Sequence, residues 1–126
     1  CSPTVGKPKY LEEHLLDNPY LAIRQSVTEI ARMLTIARAS LKAAYQAFLT
    51  GKLAFIQEVN TREEALDNLQ KRITEYLIKL STRKLGADES EYLPVLIHSV
   101  DDVERVGDYA EYIVNLKSGF PPTECL

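Results

Sequence analysis

Residues 19–50 read PYLAIRQSVTEIARMLTIARASLKAAYQAFLT. Within them Ile23, Val27, Ile30, Leu34, Ala37, Leu41, Ala44 and Phe48 follow one another in alternating steps of four and three. On an α-helix that spacing lays one apolar stripe along about eight turns, in the a/d manner of helices that pack side by side. Asn18 stands where a side chain can cap the first turn, and Pro19 where its missing N–H costs nothing. Thr50-Gly51 supplies the stop. No proline lies between Tyr20 and Leu93, so long helices are permitted.

The same periodicity continues beyond Gly51. From Lys52 a second stripe reads Ile56, Val59, Glu63, Leu66, Gln70, Ile73, Leu77 and Leu80, ending near Leu85-Gly86. Two polar residues, Glu63 and Gln70, occupy core-type positions in it. A third stripe reads Leu93, Leu96, Val100, Val103, Gly107, Ala110 and Val114. Asp88 or Ser90 would cap its helix, and Ser118-Gly119 followed by Pro121-Pro122 would end it. The spacing therefore predicts an all-α fold, an antiparallel up-down-up three-helix bundle with long helices over about 19–50, 52–85 and 89–118. Each is about 45 Å long at 1.5 Å per residue. Residues 1–18 hold Pro3, Gly6 and Pro8 without clean periodicity and read as a lead-in segment or linker, and residues 119–126 as a C-terminal tail.

Composition narrows the function. With 126 residues and 45% hydrophobic content, the chain is long enough for one domain with a core. A net charge of −3 leaves no basic footprint for nucleic acid. Cys1 and Cys125 lie at opposite ends, where a disulfide is possible but unforced, and no zinc-type Cys/His spacing occurs. No apolar run is long enough for a membrane span, and no signal peptide is evident. A chain beginning at Cys1 without Met suggests an excised part of a larger product. There is no nucleophile motif and no Gly-rich phosphate loop, so no catalytic residue is assigned and a non-enzymatic role is expected.

What the composition does not explain is a row of acids. Asp101, Glu104, Asp108 and Glu111 are spaced three, four and three apart, which stacks them on one helix face. Like charges at i,i+4 cost about 0.2–0.5 kcal/mol per pair. With the turn between helices two and three centred near residue 87, Asp67 comes level with Asp108 and Glu63 with Glu111. Gly107, a residue that costs a helix interior about 0.8–1 kcal/mol relative to Ala, would give two backbones room to approach there. Carboxylates gathered without His or Cys suit hard or borderline cations: Mg²⁺, Mn²⁺, Ca²⁺ or iron. The alternative is a solvated face neutralised by Arg62, Lys71, Arg72 and Arg105. His98 lies one turn from the row but has no Glu three residues before it, so the Glu-x-x-His signature of di-iron bundles is absent.

The segment Asp102-Val-Glu104-Arg105-Val-Gly107-Asp108-Tyr-Ala110-Glu111-Tyr-Ile113 resembles the third helix of a PhoU repeat, with its D-x-E-R-I-G-D-x-A-E-x-I pattern. Glu63-Glu-Ala-Leu-Asp67 resembles the matching E-x-x-x-D helix, and Glu29-Ile-Ala-Arg32-Met33 the start of helix one. The likeness covers roughly residues 19–117. It implies regulation of phosphate uptake and signalling, with metal, often several ions, bound by Glu63, Asp67, Glu104 and Asp108. Asp101 and Glu111 are added from the acidic row alone. PhoU proteins carry two tandem repeats and this chain carries one, which invites homodimerisation. The lone repeat and its lead-in, Lys9-Tyr10-Leu11-Glu-Glu-His-Leu15-Leu16, resemble the cytoplasmic domain of bacterial sodium–phosphate cotransporters.

The resulting expectation is a cytoplasmic regulatory domain acting on a phosphate transporter's membrane domain or a sensor protein. It would hold Mg, Mn or Fe and bind phosphate through the metal. A stand-alone signalling adaptor, or an oligomerisation module with a solvated acidic face, remain the alternatives.

Overall fold

Three long helices and one short lead-in turn make up the computed structural model, which describes residues 6–117. Helix α1 spans Pro19–Thr50, α2 Leu53–Ser81 and α3 Ala87–Lys117, preceded by a 3₁₀ turn over Glu13–Asp17. Every pair of long helices is in contact, so the described residues form the expected up-down-up three-helix bundle. None of their helices is long and apolar enough to cross a membrane. Cys1, Cys125, the lead-in before Gly6 and the tail at 119–126 lie outside the described residues.

The helix ends follow local chemistry. Asn18 Oδ1 accepts from the Leu21 N–H at 3.4 Å, with Pro19 opening α1. Gly51 closes α1 in the left-handed region at φ 70°, its N–H donating to the Ala47 carbonyl at 2.7 Å. That conformation comes freely only to glycine. Helix α2 stops at Ser81, four residues before the expected Leu85. There Ser81 and Thr82 hydroxyls donate to the Ile78 and Lys79 carbonyls, the side-chain competition that weakens a helix terminus. Helix α3 starts at Ala87 rather than 89, and neither Asp88 nor Ser90 provides the cap hydrogen bond. Glu89 does so, accepting from the Gly86 N–H at 3.0 Å, the reciprocal half of a capping box.

The core has two parts. Below, large side chains dominate: Leu16, Ile23, Ile30, Met33, Leu66, Leu69, Ile73, Leu77, Leu80, Leu93 and Val100. Above, toward the α1–α2 turn, it narrows to Ala43, Ala44, Ala47, Val59, Ala110 and Val114. The α1 stripe is half displaced from expectation. Ile23, Ile30, Ala37 and Ala44 are buried as expected, but the intervening buried residues are Ser26, Met33, Ser40 and Ala47. Val27, Leu34 and Phe48, each one position further on, are exposed and Leu41 is half-buried. Ser26, Ser40 and Ala47 let α1 sit close to its neighbours, while Val27 and Phe48 turn outward.

The described part of the lead-in, residues 6–18, is strapped to the bundle. Gly6 lies so close to α2 that an added Cβ would stand 3.2 Å from the Ala65 Cα. Glu29, fully buried on α1, accepts from the backbone N–H groups of Lys9 and Tyr10 at 2.9 and 2.8 Å and from Arg32 Nε at 3.0 Å. The Arg32 guanidinium donates to the Lys7 carbonyl. Tyr76 donates to the Glu12 carbonyl at 2.8 Å, and Lys79 pairs with Glu13.

Candidate metal centre

The carboxylates gather where the two halves of the core meet. On α2, Glu63 lies between Val59 of the upper cluster and Leu66 of the lower. On α3, Glu104, Asp108 and Glu111 surround Gly107, which is buried. Single ligand atoms from Glu63, Asp67 and Glu104 lie within 4.8 Å of one another, as do those from Glu63, Asp108 and Glu111. Glu63 belongs to both groups.

The contacts cross between the two E-x-x-x-D segments: Glu63 faces Asp108, and Glu104 faces Asp67. This register is centred between Leu85 and Gly86. It is earlier than the expected centre because α2 ends sooner and α3 begins sooner. Asp67 thus comes level with Glu104 rather than Asp108, and Glu63 nearer to Asp108, with Glu111 alongside. Asp101 is not brought into either group: it lies lower on α3, exposed, accepting from Gln70 Nε2 at 3.0 Å. His98 is exposed as well.

Burial and mutual repulsion shape the protonation of these groups. Glu63, only 8% exposed, has its pKa raised to about 9, first by burial and then by Asp108, Glu111 and Asp67. Glu104 is raised to about 8 by burial, then by Asp67 and Asp108. Glu111 is also raised, by burial and the charges of Asp108 and Asp67. The basic residues that would have neutralised a solvated face are engaged elsewhere or do not reach it. Arg62 pairs with Glu58, and Arg105 with Asp102 at 3.1 Å. No ion pair among the described residues includes Glu63, Asp67, Glu104, Asp108 or Glu111.

The donor set fits a hard cation. Glu63 Oε1 is buried without a hydrogen-bond partner, and an acceptor in that position needs a proton or a cation. All donors are carboxylate oxygens, the ligands of Mg²⁺, Mn²⁺ and Ca²⁺. Among the described residues Ser40 Oγ is also buried without a hydrogen-bond partner; a serine within an apolar helix carries no metal signal in the sequence.

Gly107 makes the approach possible. A Cβ there would collide with Leu66 Cδ1 and stand 2.9 Å from Glu63 Oε1. Gly107→Ala is therefore expected to destabilise the fold by about 1–2 kcal/mol despite the better helix propensity of Ala, because overpacking a rigid core costs more than the propensity returns. Urea denaturation measures it, and a variant as stable as wild type would show that Leu66 and Glu63 yield freely.

The fold and site define a class: a three-helix bundle with acidic segments from two antiparallel helices facing across a glycine. The PhoU domain family model matches residues 30–116, more than half of the chain. The chain belongs to the PhoU family, whose members are regulatory proteins of phosphate transport. No curated protein and no solved structure gives a match.

Proposed function

We propose that this chain is a non-enzymatic regulatory domain of a phosphate transport system, in which the α2–α3 carboxylates hold one or two hard cations. The supporting observation is Glu63, buried, unpartnered at Oε1 and common to both three-carboxylate groups. Glu63, Asp67 and Glu104 would hold one ion and Glu63, Asp108 and Glu111 a second, Mg²⁺, Mn²⁺ or iron being the suitable metals. A bound cation inverts the sign of this acidic surface and offers positive charge to phosphate oxygens. With a phosphate-signalling adaptor as the alternative, the likeness of the lead-in to that of sodium–phosphate cotransporter cytoplasmic domains supports reading the PhoU repeat at residues 30–116 as the cytoplasmic part of such a transporter. Its partner would then be the transporter's membrane domain.

Metal analysis of wild type beside Asp67→Asn/Asp108→Asn tests the reading. Wild type is expected to bind Mn²⁺ and to melt roughly 10 °C higher at a hundredfold excess over Kd, where linkage gives about 2.7 kcal/mol. The double variant should show neither effect, yet be the more stable of the two in EDTA because repulsion is relieved. Equal, negligible metal in both and no change in melting on adding Mn²⁺ or Mg²⁺ would sink the metal site. Phosphate binding by metal-free wild type would sink the metal-mediated route.

A further inference from the structure

A polar layer parts the two halves of the core. Glu63 separates Val59 from Leu66 on α2, and Gly107 separates Val103 from Ala110 on α3. On α1 the corresponding gap, between Ala37 of the lower half and Ala43 of the upper, holds Ser40. Ser40 lies eleven residues before Gly51 and Glu63 eleven after Lys52, the two residues of the α1–α2 turn. In an antiparallel helix pair such residues stand at the same height. Ala44 and Val59, equidistant from the same turn, pack in one cluster. Ser40 and Glu63 are both buried, Ser40 completely, and Ser40 Oγ and Glu63 Oε1 both lack a hydrogen-bond partner.

A buried serine on a helix has an easy partner in the carbonyl four residues back. Ser26, Thr28, Thr35, Thr50 and Ser99 all take it. Ser26 is the informative case, since it is as fully buried as Ser40 and lies on the same helix. Ser40 does not take it, so its hydroxyl is turned from its own helix toward the layer. Packing does not call for an oxygen there. The neighbouring core positions of α1 are Ala37, Ala43, Ala44 and Ala47, and alanine would fill the place of Ser40 without burying a polar atom. The two orphans are complementary, because a hydroxyl donates and a carboxylate oxygen accepts. No direct bond joins them, and buried polar atoms at one level without direct contact are the usual setting for a bridging water.

We propose that Ser40 is the α1 member of the carboxylate centre, a positioning residue whose hydroxyl donates through one buried water to Glu63 Oε1 and fixes that carboxylate for the cation. One such bond occupies one lone pair and leaves the others of the carboxylate for the metal. Glu63 is common to both three-carboxylate groups, so its orientation affects either ion. Hydrogen bonds of this outer kind orient ligating carboxylates, and losing one weakens metal binding by about ten- to a hundredfold. The serine thereby ties the remaining helix to a site otherwise built by α2 and α3. The positioning role rests on the cation reading; the link between Ser40 and Glu63 does not.

Two measurements test it. In calorimetric titration with Mn²⁺, Ser40→Ala is expected to bind about tenfold or more weakly than wild type. Ser26→Ala should bind as wild type does, because the Ser26 hydroxyl is spent on its own helix. Circular dichroism checks that both variants fold. Wild-type affinity in Ser40→Ala overturns the positioning role, and so does an equal loss in Ser26→Ala, which would make the effect one of α1 packing. The second measurement is a double-mutant cycle in EDTA, Ser40→Ala with Glu63→Leu, read by urea denaturation. The unfolding constants are expected to depart from additivity by about fivefold or more, as for residues of one hydrogen-bonded network. Additive effects overturn the link itself. A wild type that binds no Mn²⁺ removes the cation reading and the positioning role with it, and the cycle in EDTA then still decides whether Ser40 and Glu63 are joined.

Discussion

Stripped of metal, the protein is expected to lose stability as pH rises from about 5 to about 9. The native state holds protons on Glu63 and Glu104, whose pKa values are raised to about 9 and about 8. The unfolded chain releases the same protons near 4.5, the ordinary value of a glutamate side chain. Between those limits the folded state binds more protons, so stability falls with increasing pH. This is the reverse of the acid denaturation that salt-bridged carboxylates produce. At about 1.4 kcal/mol per tenfold change in proton affinity, the loss is on the order of several kcal/mol, shared among carboxylates that titrate together. Metal removes this fall. Carboxylates bind a cation in their ionised form, so cation affinity rises with pH and offsets the loss seen without metal. Urea denaturation at pH 5, 7 and 9 should therefore give a falling curve in EDTA and a nearly level one in saturating Mn²⁺, where the native state has no carboxyl protons left to lose. Glu63→Gln should flatten the EDTA curve, since its amide neither titrates nor carries charge. A wild-type EDTA profile as flat as that of Glu63→Gln would show that these acids are hydrated in the native state and impose no strain on it.

The candidate site was largely legible because antiparallel register is arithmetic. Once two helices join through a short turn, residues equidistant from it come level, and Glu63 and Asp67 were set opposite the α3 acids on that ground. The error of about one turn came from the α2 end, where Ser81 and Thr82 unravel the last residues that periodicity alone would have kept helical. Gly107 was legible from cost: a mid-helix glycine beside a carboxylate row implies close approach, and Leu66 and Glu63 occupy the space its side chain would need. The α1 stripe was only half legible. Periodicity selects the largest apolar residue in each turn, whereas close helix packing selects small ones, so Val27 and Phe48 turned outward while Ser26 and Ala47 turned in.

Glu29 was the least legible residue, and its removal is expected to have a large effect. It carries the only negative charge on α1, yet its partners are backbone groups of a lead-in that has no periodic pattern to place it. In the fold its carboxylate is fully buried and accepts from the Lys9 and Tyr10 N–H groups and from Arg32. Charge-assisted bonds of this kind are about twice as strong as neutral ones. Glu29→Ala leaves a largely buried guanidinium without its carboxylate and two N–H groups without acceptors. Deleting one partner of a buried ion pair costs about 3–5 kcal/mol. Because Glu29 ties down the lead-in rather than the bundle core, part of that cost should appear as local release rather than global unfolding. Amide exchange over residues 6–18 is expected to lose protection in Glu29→Ala, while Leu69, Ile73 and Leu77 on α2 stay protected. Glu29→Gln keeps an acceptor but loses the charge, so it should fall between the two. The strap has further ties at Tyr76 and Lys79, each to the lead-in turn rather than to residues 7–10. If exchange at Lys9 and Tyr10 is unchanged in Glu29→Ala, these distal contacts suffice and the buried carboxylate is not what seats the lead-in. If protection is lost first at Lys9 and Tyr10 and only later at Glu13–Asp17, the release runs inward from the Glu29 end.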